Sequence, residues 1–129
     1  MSRYPDMSDA DSRIMEILWR DGETSSAAIL KEIEDTLGWS RQTVRTYLKR
    51  LMDKGLAGAR ESKKRVFGYY PLVSREDYAA DKTGSVLNSL YNGSLSHMVA
   101  GIVKNETVSD SELSALEALI KSLRQKEGR

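Results

Sequence analysis

Trp39-Ser40-Arg41-Gln42-Thr43-Val44-Arg45-Thr46-Tyr47-Leu48-Lys49-Arg50-Leu51 is the stretch on which the reading of this chain turns. Ser40 stands where a helix N-cap belongs. Val44, Leu48 and Leu51 then fall on one side at helical spacing, and Tyr47 and Met52 widen the stripe before Gly55 closes the helix. At about 100° per residue, the opposite arc holds Gln42, Arg45, Thr46, Lys49 and Arg50, with Arg41 and Thr43 near the amino end. One face is built to be buried; the other is cationic.

Outward from this helix the pattern continues on both sides. Upstream, Ser8 with Asp11 three residues on is a capping box, and Ile14, Ile17 and Leu18 repeat at helical spacing as far as Asp21-Gly22. Ser25 or Ser26 caps a second helix with the stripe Ile29, Ile33 and Leu37, ended by Gly38. Downstream the period changes: Leu56 to Arg60 and Val66 to Tyr70 are short β-compatible runs around the charged stretch Glu61 to Arg65, and Gly68 marks a bulge or an edge. Three helices and a hairpin predict a winged helix-turn-helix over residues 7–73, with the third helix as the reading element and Lys63, Lys64 and Arg65 at the wing tip.

Charge supports that placement. The 129 residues sum to only +1, yet between Ser40 and Phe67 nine basic residues face two acidic ones, a local +7 that leaves −6 for the rest. Arginine pairs bidentately with guanine and glutamine with adenine, while threonine offers a hydroxyl to phosphate or a methyl to thymine. A cluster of like charges at a hairpin tip gains nothing for folding, but phosphate neutralises it. Double-stranded DNA is the expected partner, with Ser40, Arg41, Gln42, Thr43, Arg45, Thr46, Lys49, Arg50, Lys63, Lys64 and Arg65 as contacts. The rival reading is a winged-helix protein-interaction module, which calls for apolar or aromatic anchors on that face.

From Ser74 the chain returns to helix, with Val86, Leu87, Leu90 and Tyr91 apolar, a break at Asn92-Gly93-Ser94, a short helix from Leu95 to Val103, and a last one from the box Ser109-Asp110-Ser111-Glu112. Residues 74–129 therefore form a helical region, and the fold class is mainly α with one small β-hairpin. Its stripes must be covered, either by folding back on the winged domain or by a second copy. A homodimer is expected through Leu90, Leu95, Met98, Val99, Ile102, Leu113, Leu116, Leu119, Ile120 and Leu123, because a twofold pair presents two reading helices to two half-sites.

Enzyme classes find little purchase. There is no cysteine, and His97 is the one histidine, with no nucleophile motif beside it. No catalytic residue, metal site or cofactor is expected, and the carboxylates of helices 1, 2 and 6 read as solvated faces and caps. Trp19 and Trp39 sit at helix ends among apolar neighbours and read as packing. No apolar run reaches the roughly 20 residues of a membrane span, and Met1 to Asp6 lacks a secretory leader's apolar stretch. The expected location is the cytoplasm, without membrane contact.

The run from Trp39 to Leu48, followed by Arg50-Leu51, Lys54-Gly55 and Tyr69-Tyr70-Pro71-Leu72-Val73, resembles the penicillinase-repressor family of BlaI, MecI and CopY type, and the likeness extends from Met7-Ser8-Asp9-Ala10 to the final helix. The resemblance implies a dimeric bacterial repressor of transcription that holds a dyad-symmetric operator and dimerises through its carboxy-terminal helices. Carried over by position, Thr43, Arg45 and Thr46 are the foremost DNA contacts, supported by Arg41 and Gln42. In one branch of that family an inducer-linked protease cuts an Asn-Phe bond; the matching positions here are Gly101 and Ile102, a departure from the pattern. The copper branch carries a carboxy-terminal cysteine cluster, which Leu123 to Arg129 does not provide.

Overall fold

The computed structural model describes residues 2–63 and 65–128. Its elements, in order, are α1 (Asp9–Asp21), α2 (Ser26–Leu37), α3 (Arg41–Asp53), β1 (Ala57–Ser62), β2 (Arg65–Pro71), α4 (Arg75–Tyr91), α5 (Leu95–Asn105) and α6 (Asp110–Gly128). They form two compact units, Met1–Ser85 and Val86–Arg129. The first is a winged helix-turn-helix, three helices followed by an antiparallel hairpin.

Local chemistry sets most of the helix ends. The Ser8 hydroxyl accepts the Asp11 amide while the Asp11 carboxylate accepts the Ser8 amide, a reciprocal box that starts α1. Ser25 caps α2 and Ser40 caps α3, each through the amide three residues on. Gly38, at φ 69°, ends α2 in the left-handed region that glycine enters without a Cβ penalty.

The core of this unit gathers Ile14, Met15, Ile17 and Leu18 from α1, Ile29 and Ile33 from α2, and Val44, Leu48 and Leu51 from α3, closed below by Leu56, Ala57 and Val73. The predicted stripes hold except at helix ends. Leu37 and Met52 remain 36% and 40% exposed, because each lies in the last turn, where the helix runs past the core. Trp19 donates its indole N–H to the Val73 carbonyl at 2.9 Å and packs against Tyr78, which ties the end of α1 to the start of α4.

The strands are longer than the sequence pattern suggests. Their register pairs Ala57 with Pro71 and Ser62 with Arg65, and it slips between Arg60 and Glu61, so that Phe67 is the extra residue of a bulge beside Gly68. Arg65 therefore opens β2 instead of standing at the tip. On the other edge of β2, Thr24 and Tyr69 exchange two backbone hydrogen bonds of 2.8 Å, which makes the turn between α1 and α2 a one-residue third strand.

In the second unit, the Ser94 hydroxyl caps α5, which runs two residues beyond the expected Val103, and Ser109 accepts the Glu112 amide at the start of α6. Among its described residues none is buried. Leu90, Leu95, Ile102, Leu113, Leu119, Ile120 and Leu123 are all exposed. Among the described residues of the whole chain, no helix is long and apolar enough to cross a membrane.

Candidate nucleic-acid interface

The core side of α3 is buried through Val44, Leu48 and Leu51, so Arg41, Gln42, Arg45, Thr46, Lys49 and Arg50 are all exposed on the other side. Thr43 is half-buried, its amide and hydroxyl both turned to the cap: Ser40 Oγ lies 3.2 Å from Thr43 N and 3.0 Å from Thr43 Oγ1. The Thr46 hydroxyl donates back to the Gln42 carbonyl at 2.9 Å. Both threonine hydroxyls are thus engaged within the helix, and each keeps acceptor capacity toward an incoming donor.

Sorting the cations by what they already hold divides the basic block. Among the described residues, Arg41, Arg45 and Lys49 make no salt bridge, and Arg50 lies with its guanidinium 5.2 Å from the centre of the Tyr47 ring. That ring is itself tilted against Trp39, with centroids 5.3 Å apart, so Arg50 rests on a pair of half-buried rings. Lys54 and Arg60, by contrast, are engaged internally. Lys54 Nζ sits 2.6 Å from the Asp11 carboxylate and Arg60 Nε 3.1 Å from that of Glu23.

Asp11 is a cap, as expected of the carboxylates of the first helix, but it is fully buried and holds a lysine as well. Burial opposes its ionisation, but the hydrogen bonds from Lys54 and the Ser8 amide, with the attraction of the ammonium, outweigh that cost and hold its carboxyl below the ordinary value. The consequence for the site is mechanical. Lys54 is the C-cap of α3, so this pair pins the end of α3 to α1.

The wing stands beside α3. Arg41, Arg45, Val44 and Leu48 of α3 line a groove of about 350 Å³ together with Ser26, Ala27 and Leu30 of α2 and Val66 and Tyr69 of β2. Lys63 is exposed at the tip with φ 51°, a left-handed turn residue, whereas Lys64 lies outside the described residues. The wing base is fixed by the Thr24 bridge and by a close fit at Gly68, where an added Cβ would fall 2.7 Å from Glu23 Cγ. Neither the Thr24 bridge nor the Asp11–Lys54 pair was expected from the sequence. A lone β-branched residue between helices carries no strand pattern, and two opposite charges 43 residues apart carry no spacing rule.

In the second unit, Val99, Ile102 and Val103 of α5 face Val108, Ala115, Leu116 and Leu119 across an apolar groove of about 330 Å³. Met98, Val99 and Gly101 are half-buried, while Ile102 is exposed. An added Cβ at Gly101 would meet the Tyr91 hydroxyl at 2.8 Å, so glycine is what lets that ring lie close to α5.

Comparison with known proteins places these features in a lineage. The penicillinase repressor family model matches residues 7–122. The chain is 33% identical over 120 residues to the penicillinase repressor of Bacillus licheniformis, covering 93% of each chain. It is 30% identical over 115 residues to the methicillin resistance regulatory protein MecI of Staphylococcus aureus strain N315, covering 89% of this chain and 93% of that protein. The solution structure of the monomeric form of Bacillus licheniformis BlaI in complex with the blaP half-operator superposes with a TM-score of 0.52 at 32% identity, covering 60% of this chain and 94% of that one.

Proposed function

The chain belongs to the penicillinase repressor family, and from that premise we propose that it is a DNA-binding transcriptional repressor acting as a homodimer, with α3 reading each half of a twofold operator. The observation that carries the reading is the exposed face of α3, where Arg41, Arg45 and Lys49 have no ion-pair partner among the described residues. Unpaired cations fixed on a rigid helix gain most from phosphate and guanine acceptors, since no internal pair has to be broken first.

The division of labour follows from side-chain chemistry. Arg41, Gln42 and Arg45, at and near the amino end of α3, are assigned to base edges, and Lys49, Arg50 and Lys63 to phosphates. Ser40, Thr43 and Thr46 contribute acceptors and methyl contact, Lys64 is assigned to phosphate from sequence alone, and Arg65 joins from the first position of β2. The rival protein-interaction reading is disfavoured because no apolar residue is exposed on α3 between Arg41 and Arg50, and the aromatic ring there, Tyr47, is half-buried against Trp39 with Arg50 over it.

Dimerisation is assigned to the second unit, whose exposed leucines and isoleucines bury nothing of their own. Release by an inducer-linked protease would fall at Gly101-Ile102, a bond inside α5, so that helix must unwind before it is cut. Selection of bound duplexes from a random pool at fixed salt tests the whole reading. The expected result is an enriched palindrome with one half-site spacing; enrichment of nothing, or of a single unpaired site, sinks it.

A further inference from the structure

Residues 2–7 belong to no helix or strand, yet they are bonded at both ends to working parts of the winged unit. The Asp81 carboxylate of α4 accepts the amides of Arg3 and Tyr4 at 2.6 and 3.0 Å and the Ser2 hydroxyl at 2.9 Å. Lys82 Nζ, the next residue of α4, donates to the Tyr4 carbonyl and to the Asp6 carboxylate. The Tyr78 hydroxyl accepts the Met7 amide at 2.8 Å. At the other end, Lys54 Nζ, capping α3, donates to the Asp6 carbonyl at 3.0 Å. Asp6 therefore links two lysines, one on the reading helix and one on α4.

This arrangement connects parts that the sequence keeps far apart. α4 leaves the winged unit as one unbroken helix of 17 residues and ends at Tyr91, among the positions assigned to pairing. A helix of that length spans about 25 Å. A tilt of about 10° at its base moves its far end by about 4 Å, more than one base-pair step of about 3.4 Å. The bonds of residues 2–7 therefore bear on the one helix that continues from the winged unit toward the positions assigned to pairing.

We propose that residues 2–7 act as a strap that fixes α4 relative to α3, and that Tyr78, Asp81 and Lys82 are positioning residues that determine which half-site spacing the dimer accepts. The strap touches no DNA in this scheme. Its contribution is stiffness: a tether of matched, rigid geometry raises the effective concentration of the second reading helix at its half-site, and slack dilutes it. The proposal rests on the dimeric, operator-reading function above.

The test uses the full chain with duplexes carrying one half-site, and with palindromes in which the half-sites are moved apart or together by single base pairs. An Asp81→Ala/Lys82→Gln variant should bind the single half-site within about twofold of the unsubstituted chain. It should bind the best-spaced palindrome about tenfold more weakly, with a spacing profile broadened by one or two base pairs. Tyr78→Phe, which keeps the ring against Trp19 and removes the acceptor for Met7, should move the profile the same way and serves if the double variant does not fold. Equal losses on half-site and palindrome, or an unchanged profile, overturn the strap while leaving operator reading intact. An unsubstituted chain with no spacing preference overturns the dimeric reading and the strap together.

Discussion

Lys49 and Lys54 lie five residues apart on the same helix end, and only Lys49 is available to an anion; Lys54 is bonded to Asp11 and to the Asp6 carbonyl. Counting cations along the chain could not separate them, because the separation is made by a carboxylate in another helix. Two outcomes follow for single residues. Arg45→Ala should cost operator binding about 1–3 kcal/mol with relaxed preference at one base pair, whereas Lys49→Ala should weaken all sequences alike and lower the salt slope by about one. Titrations on matched and scrambled duplexes at several salt concentrations distinguish the two, and identical salt and sequence profiles would falsify the assignment. Asp11→Asn leaves Lys54 without its counter-charge and should destabilise the fold by about 2–4 kcal/mol. Because the folded Asp11 carboxyl titrates below its ordinary value, its contribution is complete above about pH 4 and is lost as pH falls through the folded value. Chemical denaturation between pH 2 and 6 should accordingly show a shallower acid limb in the variant.

At the scale of elements, what was legible in the sequence was what is local. Ser8, Ser25 and Ser40 announce helix starts because a cap is a bond over three residues, and Val44, Leu48 and Leu51 announce a buried face because the period is intrinsic to the helix. The outward face of α3 follows by geometry, so most of the candidate site was readable without coordinates. Pairing between distant segments was not. The hairpin takes in Ser62 and Arg65 because its register, not its hydrophobic pattern, decides where strands end, and the wing is anchored at Thr24 by backbone groups that every residue type but proline possesses. Gly68 joins these two facts. Its flanking bulge could be anticipated, but not the Glu23 side chain lying where a Cβ would stand. Gly68→Ala should push Glu23 off Arg60 and cost about 1–2 kcal/mol, read as a lower urea midpoint. A midpoint equal to or above that of the unsubstituted chain would show that Glu23 yields freely.

At the scale of the molecule, the two units differ in how their apolar surface is covered. Among its described residues the winged unit closes a core of twelve buried apolar side chains, from Ile14 to Val73. The described residues of the second unit bury none, and Leu116 and Ile120 lie exposed on α6. Leu116→Glu should therefore leave the winged unit's thermal transition in place, weaken self-association by about 10- to 100-fold, and shift sedimentation toward the monomer. A variant that sediments as the unsubstituted chain does would move the pairing surface elsewhere.

That asymmetry also orders events during synthesis. The last buried residue of the winged core is Val73 and Tyr78 packs against it, so this unit, which ends at Ser85, has its core side chains while most of residues 86–129 are still being made, and a chain emerging from the ribosome can complete the outward face of α3 first. On the homodimeric reading proposed above, the second unit is covered only when it meets another chain, a step whose rate depends on how many copies are present. Refolding from denaturant should thus show a fast phase independent of protein concentration, followed by a slower one that accelerates in proportion to it. On the same reading, a newly made copy would spend its first moments able to recognise half an operator and unable to hold the whole.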